Sequence, residues 1–529
     1  MNRLYIFAIG GSGERVLKSL AMILAAGTPI NANEVIPVIV DNDAESAALK
    51  DCERIFTAYG NTEGDNGVHT LYERAFGNDQ SVWPSFCNTV VRKPILLNVA
   101  GNTIGTLEGI INCPTESNRP EDKDNNAFIK SIAIERDLLF TKDDLQMALS
   151  VGFVGNPNIG SVVLNSISFA DTAFGSILSG VQGNDGVIVI GSLFGGTGAA
   201  GFPLIVNTFN GITDPTRKPV LGGIAVLPYF DTNKNRPARD EKQVIDRERW
   251  DVDSDTFVTK TRAALMYYDD YMMGVDYMYY VGDDKHHVHD HSVGGKAQKN
   301  QVNLVELLSA MSIIDFAKQN HSENTVYKQP IWGFSDDGHA SNVSGISNKD
   351  IRKAMVKFQL LEILMKNPEF LKKAIGELRS VFVNDIHFTE EVRNSIVTDD
   401  MIKHQFATGL NHLFKEWDLW VGDLSNTEAV RRLNLFNNEV RTDGDNITKN
   451  FCAEGDFGIA KTETKKQGFF SKKEVTEALS PQILDAMFDV YKALDDSMKK
   501  DVADYKIIPY ELLIISKALD KVLNEKCSL

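Results

Sequence analysis

Two glycine clusters constrain this chain more than any other feature. Gly10-Gly11-Ser12-Gly13 follows the apolar run Leu4 to Ile9, and the cluster from Gly191 to Gly201 follows the apolar run Val187 to Ile190. After the first cluster, Val16, Leu17, Leu20, Ala21 and Leu24 recur at helical spacing. After the second, the spacing predicts a helix from about Ala199. A strand that turns through glycine straight into a helix, repeated along a chain, builds a parallel sheet with helices on both faces. Val35 to Val40, a strand near Pro94 to Val99, Val220 to Leu227 and Met278 to Val281 read as further strands of that sheet. The expected class is therefore α/β, a Rossmann-like parallel sheet.

The texture changes beyond it. Asn300 to Lys318 reads as an amphipathic helix, and Ser335 to Asn342 as a polar connector. Ser347 with Asp350 resembles a capping box, with Ala354, Phe358, Leu361 and Met365 on one helical face after it. Ser480-Pro481 reads as a cap with a first-turn proline, and Leu512 to Leu523 as the final helix. These signals divide the 529 residues into 1–320, a connector at 321–346, and a mostly helical part at 347–529.

Composition excludes several function classes. The 55 Lys and Arg against 72 Asp and Glu give a net charge of −17, unsuited to general nucleic-acid binding. The five cysteines are scattered without metal spacing, which points to a reducing cytoplasm. No apolar run is long enough to span a membrane. The apolar start runs into the glycine cluster without a cleavage site, against a signal peptide. An anionic ligand would have to be held locally, by backbone dipoles. The glycine turns offer that, because N–H groups at a helix N-terminus can approach a phosphate. Val16 stands where a dinucleotide fingerprint needs its third glycine, which counts against a Rossmann-type oxidoreductase. The second cluster carries no Walker lysine, so backbone amides and the Thr197 hydroxyl would hold the phosphates, with a metal ion sharing the charge. Gly152 to Gly160, with Asn156-Pro157 fixing a turn, adds a third glycine segment, and Asp41-Asn42-Asp43-Ala44-Glu45 ends the second strand where ligands bind in open sheets.

In this order these segments resemble the tubulin/FtsZ superfamily of GTPases. Gly195-Gly196-Thr197-Gly198-Ala199-Ala200-Gly201 is similar to the signature GGGTGSG, with Phe194 in place of its first glycine. Gly10-Gly11-Ser12-Gly13 resembles GGAG, Asp41 to Glu45 resembles NTDAQ, and Gly152 to Gly160 resembles GAGANPEVG. Leu227-Pro228-Tyr229-Phe230-Asp231 resembles KPFxFE, with Arg236 or Arg239 a loose match to the arginine of that loop. The likeness covers roughly residues 1–320 and suggests a divergent bacterial tubulin-like protein.

The resemblance implies GTP or GDP as ligand, with Mg2+. Gly10, Gly11, Ser12 and Gly13 would bind the α- and β-phosphates. Gly195, Gly196, Thr197 and Gly198 would wrap the β- and γ-phosphates, and Gly155, Asn156 and Pro157 would close over the γ end. Asp43 would sit near the metal or α-phosphate, Asp231 in the ribose-contacting loop, and Asn300 or Asn303, on the core helix, would meet the guanine. It implies a GTP-binding protein that assembles head to tail, with GTP at the subunit interface and slow hydrolysis. The family's acidic NxDxxD pattern after the core helix is missing, and Glu323, Asp336 and Asp315 are the candidates to replace it. The alternative is a non-hydrolysing, nucleotide-dependent scaffold whose helical part binds a protein partner. Two weaker signals read as solvated loops: His286 to His291, a possible metal cluster, and Lys461 to Lys473, a possible contact for an acidic partner or membrane surface.

Overall fold

The computed structural model describes residues 1–43, 46–59, 90–98, 105–111, 136–147, 149, 153, 155–165, 173–233, 254–272, 274–283, 287–290, 301–322, 324–328, 354–355, 357–362, 410–425, 441–443, 446–448, 463–467, 471–475, 479–493 and 507–526. Its centre is one parallel sheet. In chain order the strands are β1 (Arg3–Ile9), β2 (Glu34–Asp41), β3 (Val90–Val91), β4 (Ile95–Asn98), β5 (Gly186–Ser192), β6 (Val220–Val226), β8 (Tyr277–Val281) and β10 (Val326–Lys328). Their order across the sheet is β10-β8-β6-β5-β1-β2, with β3 and β4 both pairing the far side of β2. Every pairing is parallel. The chain moves outward from β1 through β2 in one direction and returns through β5 in the other, so β1 and β5 flank a switch point.

The split of the far edge into β3 and β4 follows from Pro37. Val35 O accepts from Arg92 N, so by strand alternation residue 37 faces the same edge. Pro37 has no N–H to offer there, and the pairing lapses between Val35↔Val91 and Val38↔Ile95.

Both faces of the sheet are covered. Leu4, Ile6 and Ala8 of β1 belong to one core, and Tyr5, Phe7 and Ile9 to the other. The first core takes α1 (Gly10–Ala25), α2 (Ala47–Tyr59) and α9 (Leu304–Phe316). On the second lie α3 (Leu107–Ile111), α4 (Lys142–Leu145), α5 (Pro157–Asn165), α6 (Ala173–Gly180), α7 (Gly196–Asn210) and the Tyr268 side of α8 (Phe257–Tyr271). A short parallel ribbon, β7 (Phe230–Asn233) with β9 (His287–Asp290), stands apart from the sheet.

Three expectations change. The helix expected over Asn300 to Lys318 spans Leu304–Phe316, and all of its residues are buried, so it is apolar nearly all round rather than amphipathic. The connector expected at 321–346 contributes β10, which extends the sheet beyond residue 320 by pairing with β8. The third concerns the C-terminal part, where α10 (Leu410–Ser425), α11 (Leu479–Ala493) and α12 (Ile507–Lys526) supply its helices. Their Leu413, Trp417, Trp420, Ile483, Ile514 and Leu519 join the same core as α1 and α9. That part also holds two antiparallel ribbons, β11 (Arg441–Asp443) with β12 (Asn446–Thr448), and β13 (Glu463–Gln467) with β14 (Ser471–Val475). The second ribbon occupies much of the stretch expected to be a lysine-rich loop. Among the described residues no helix is long and apolar enough to cross a membrane.

Candidate functional site

Three helix N-termini meet at the carboxyl ends of β1 and β5. Helix α1 starts at Gly10, directly after β1, with Ile9 at its N-cap and no side-chain cap. Helix α7 starts at Gly196, with Gly195 at its N-cap and again no side-chain cap. Helix α5 starts at Pro157, the preferred residue for a first helical position. Asn156 caps it, accepting from Asn158 N at 3.1 Å and Ile159 N at 3.4 Å. None of the three has an acidic residue in its first turn. The first-turn N–H groups of α1 and α7 therefore have no side chain of their own to satisfy them, and each helix presents its positive end.

The glycines hold these ends together. Gly10 has φ +69, and a Cβ there would sit 3.3 Å from Thr197 Cβ, so the first two loops touch. A Cβ at Gly196 would fall 2.9 Å from Phe153 Cβ and 3.0 Å from Asn156 N, and one at Gly160 2.7 Å from Gly196 O. Gly155, φ +69, turns the third loop onto the second. Gly198 differs from the expected nest. It lies in α7 without a positive φ, and a Cβ there would strike Ser192 N at 2.7 Å and Ser192 O at 2.8 Å. Its missing side chain lets the helix lie against the end of β5.

Phe194, which replaces a glycine of the signature, is buried. Its ring lies 4.5 Å from that of Phe257, 5.6 Å from Phe230 and 6.2 Å from Tyr229. It thus anchors the second loop to an aromatic cluster formed by the β6–β7 connection and α8.

Beneath the first loop lies a buried polar network that the sequence reading missed. Arg15 Nε donates to Glu306 Oε1 at 2.7 Å, and its Nη2 donates to Tyr229 Oη at 3.0 Å and Ser12 Oγ at 3.2 Å. Tyr229 Oη donates to Glu306 Oε1 at 3.0 Å. Burial opposes the charge on Arg15, but Tyr229 and Glu306 outweigh it and hold the guanidinium above its ordinary pKa. The network joins α1, α9 and the β6–β7 connection. Asn303 and Glu306 form a capping box at the start of α9, with Asn303 Oδ1 accepting from Val305 N at 2.9 Å. Asn303 is thus an N-cap residue with its oxygen in use, and Asn300 lies outside the described residues.

At the end of β2, Asp41, Asn42 and Asp43 are buried, as is Glu14 from α1. Asp41 Oδ1 accepts from Asn42 N at 2.6 Å and Asp43 N at 3.3 Å. Burial raises Asp41 to about 6 despite those two N–H groups. Burial and the neighbouring Asp41 charge hold Glu14 well above the carboxylate range. Glu14 Oε2 accepts from Ser46 Oγ at 3.1 Å, and Oε1 is buried without a hydrogen-bond partner. Asp231 lies in β7, in the ribbon outside the main sheet, next to Phe230, whose ring is 5.6 Å from that of Phe194 in the second loop.

Of the catalytic candidates, Asp315 is buried in α9 and accepts from Tyr279 Oη at 2.8 Å, while Glu323 and Asp336 fall outside the described residues. Arg236 and Arg239 fall outside them too, as does Gly152. The histidine cluster runs partly along β9, with His287 and His289 in its pairing register. Among the described residues no group of His, Cys, Asp and Glu is arranged to hold a metal ion. Thr197 is the hydroxyl that the second loop places at the N-terminus of α7. No protein-family description matches the chain, and no curated protein is similar to it.

Proposed function

We propose that this chain is a tubulin-like nucleotide-binding protein that holds GTP in the crevice between the ends of β1 and β5. The observation that carries the reading is the pair of uncapped helix N-termini, α1 and α7, brought into contact at the switch point through Gly10 and Thr197. A triphosphate supplies the acceptors that those N–H groups lack, and two helix dipoles favour its charge despite the net −17 of the chain. Asn156, with Gly155 and Pro157 beside it in the chain, lies against the second loop at Gly196 and suits the outer phosphate. The preference for guanine rests on the resemblance, as does head-to-tail assembly with the nucleotide between subunits.

One observation favours the non-hydrolysing scaffold as a second reading. Asp315 is turned into the core against Tyr279, where it cannot reach a neighbouring subunit's ligand. Two measurements on the purified full chain test both readings. Nucleotide extracted from the protein, identified by mass and absorbance, should be GTP or GDP, and ATP should compete poorly. A chain that binds neither purine triphosphate overturns the site. Phosphate release per molecule should be slow when dilute and rise with protein concentration if subunits complete each other's sites. GTP binding with no release at any concentration selects the scaffold.

A further inference from the structure

A cleft of about 800 Å³ opens beside the third loop, between α5 and α8. Its walls are mostly apolar, with Phe140, Met147, Val162, Ala264, Tyr267 and Tyr268 among them. The size is that of a small-molecule site. Apolar surface borders it: Leu139 is 71% exposed and Tyr267 49%. Most of the exposed large hydrophobic side chains among the described residues lie in Leu138, Leu139 and α8. Such concentration marks a binding surface. Tyr267 presents an aromatic ring to the cleft and packs against Tyr271, with ring centroids 5.0 Å apart.

The charged groups of the cleft set the ligand class. Lys260 Nζ donates to Gly155 O at 2.8 Å. Asp144 accepts from Thr141 N at 2.9 Å and Thr141 Oγ1 at 2.8 Å, in the capping box of α4. One cation and one anion, each engaged with the protein, leave no net charge to select an ion. Asn156 and Ser161 add neutral polar groups.

We propose that this cleft binds an uncharged small molecule with a flat apolar body, and that the Lys260–Gly155 link couples its occupancy to the phosphate loop. The coupling rests on the nucleotide reading given above; the cleft itself does not. An occupant held between α5 and α8 fixes Lys260 and therefore the Gly155 turn, so ligand and nucleotide should each favour the other.

N-phenyl-1-naphthylamine, an uncharged dye that brightens in apolar surroundings, is the probe. With the full chain its fluorescence should saturate at one dye per molecule. Ala263→Trp fills the cleft from an exposed position of α8 and should abolish the signal, whereas Met266→Trp, on the same helix but outside the lining, should not. GTP should tighten dye binding about fivefold, a usual scale for coupled sites. Lys260→Met should lose that difference, whatever its own dye affinity, because GTP then no longer acts through the Gly155 turn. Unsaturable fluorescence, or binding indifferent to Ala263→Trp, overturns the cleft. A chain that dimerises through this face, and that Ala263→Trp makes monomeric, overturns it in favour of a contact between copies. Dye binding with no nucleotide binding supports the cleft and overturns the coupling along with the phosphate site. A GTP effect that survives Lys260→Met overturns the link through Lys260.

Discussion

Gly10 and Gly198 both belong to the glycine pattern, yet they serve different ends. Gly10 needs its left-handed φ of +69, so Gly10→Ala should cost about 1–2 kcal/mol in backbone strain alone. Its Cβ would also press on Thr197, 3.3 Å away, and push the first two loops apart. Chemical denaturation should show that modest loss, together with a larger loss of nucleotide affinity. Gly198→Ala instead drives a methyl into the Ser192 backbone at 2.7 Å. It should cost about 3 kcal/mol of stability, the upper range for overpacking, whether nucleotide is present or not. The motif was legible in the sequence, but these two roles were not, since both depend on which strand end each glycine faces. Asp41 yields a pH prediction. Between the ordinary carboxyl value and about 6 the folded chain keeps a proton there that the unfolded chain has released. Asp41's share of the stability should therefore fall as pH rises through that window and level off above it, while Glu14, held well above the carboxylate range, carries the fall to higher pH. Asp41→Asn keeps the oxygen that Asn42 N and Asp43 N bond, so urea titrations between pH 4 and pH 7 should show a flatter profile. An unchanged slope would mean that another group carries the proton.

Pairs of elements are joined by polar contacts that no periodicity reveals. Pro203 lies inside α7 and cannot donate to Ala199 O, and Tyr268 Oη of α8 donates there instead at 2.8 Å. Tyr268→Phe should cost about 1–3 kcal/mol, the penalty of a buried carbonyl left unpaired. In Pro203→Ala the helix supplies its own donor, so Tyr268→Phe should cost far less in that background. A double-mutant cycle by thermal denaturation checks this, and equal costs in both backgrounds would refute it. The Arg15–Glu306 pair ties α1 to α9 in the same way. Glu306→Gln leaves Arg15 buried without a counter-charge and should cost about 3–5 kcal/mol, with much of that recovered when Arg15→Met is added. The strand–turn–helix order was readable because parallel strands buried on both faces leave continuous apolar runs. The buried pair was not, although Asn303 and Glu306 stand at capping-box spacing and could have marked the start of α9.

At the scale of the whole chain, the expected division near residues 321–346 followed a change in texture, which reports helix against sheet rather than where one core ends. Trp420 Nε1 donates to Ser19 Oγ at 3.2 Å, Val302 N donates to Asp423, and Arg54 pairs with Glu416. These contacts set α10 against α1, α2 and the start of α9. A chain cut after residue 346 should therefore fail to fold alone, because the apolar faces of α1 and α2 would lie bare. Circular dichroism in the near ultraviolet should show lost tertiary packing in that fragment. A cooperative thermal transition with full nucleotide affinity would show instead that the first part folds by itself.

The contact between Ser19 and Trp420 spans 401 positions, and it has a consequence for how the protein is made. The ribosome adds about 5–20 residues per second, so α1 emerges roughly 20–80 s before its tryptophan partner does. For that interval α1 lacks the helix that packs over Ser19, long enough for a chaperone to engage it or for a neighbouring nascent chain to stick to it. Slow synthesis would lengthen that exposure, and the yield of native protein should depend on translation speed more than on the stability of the finished fold.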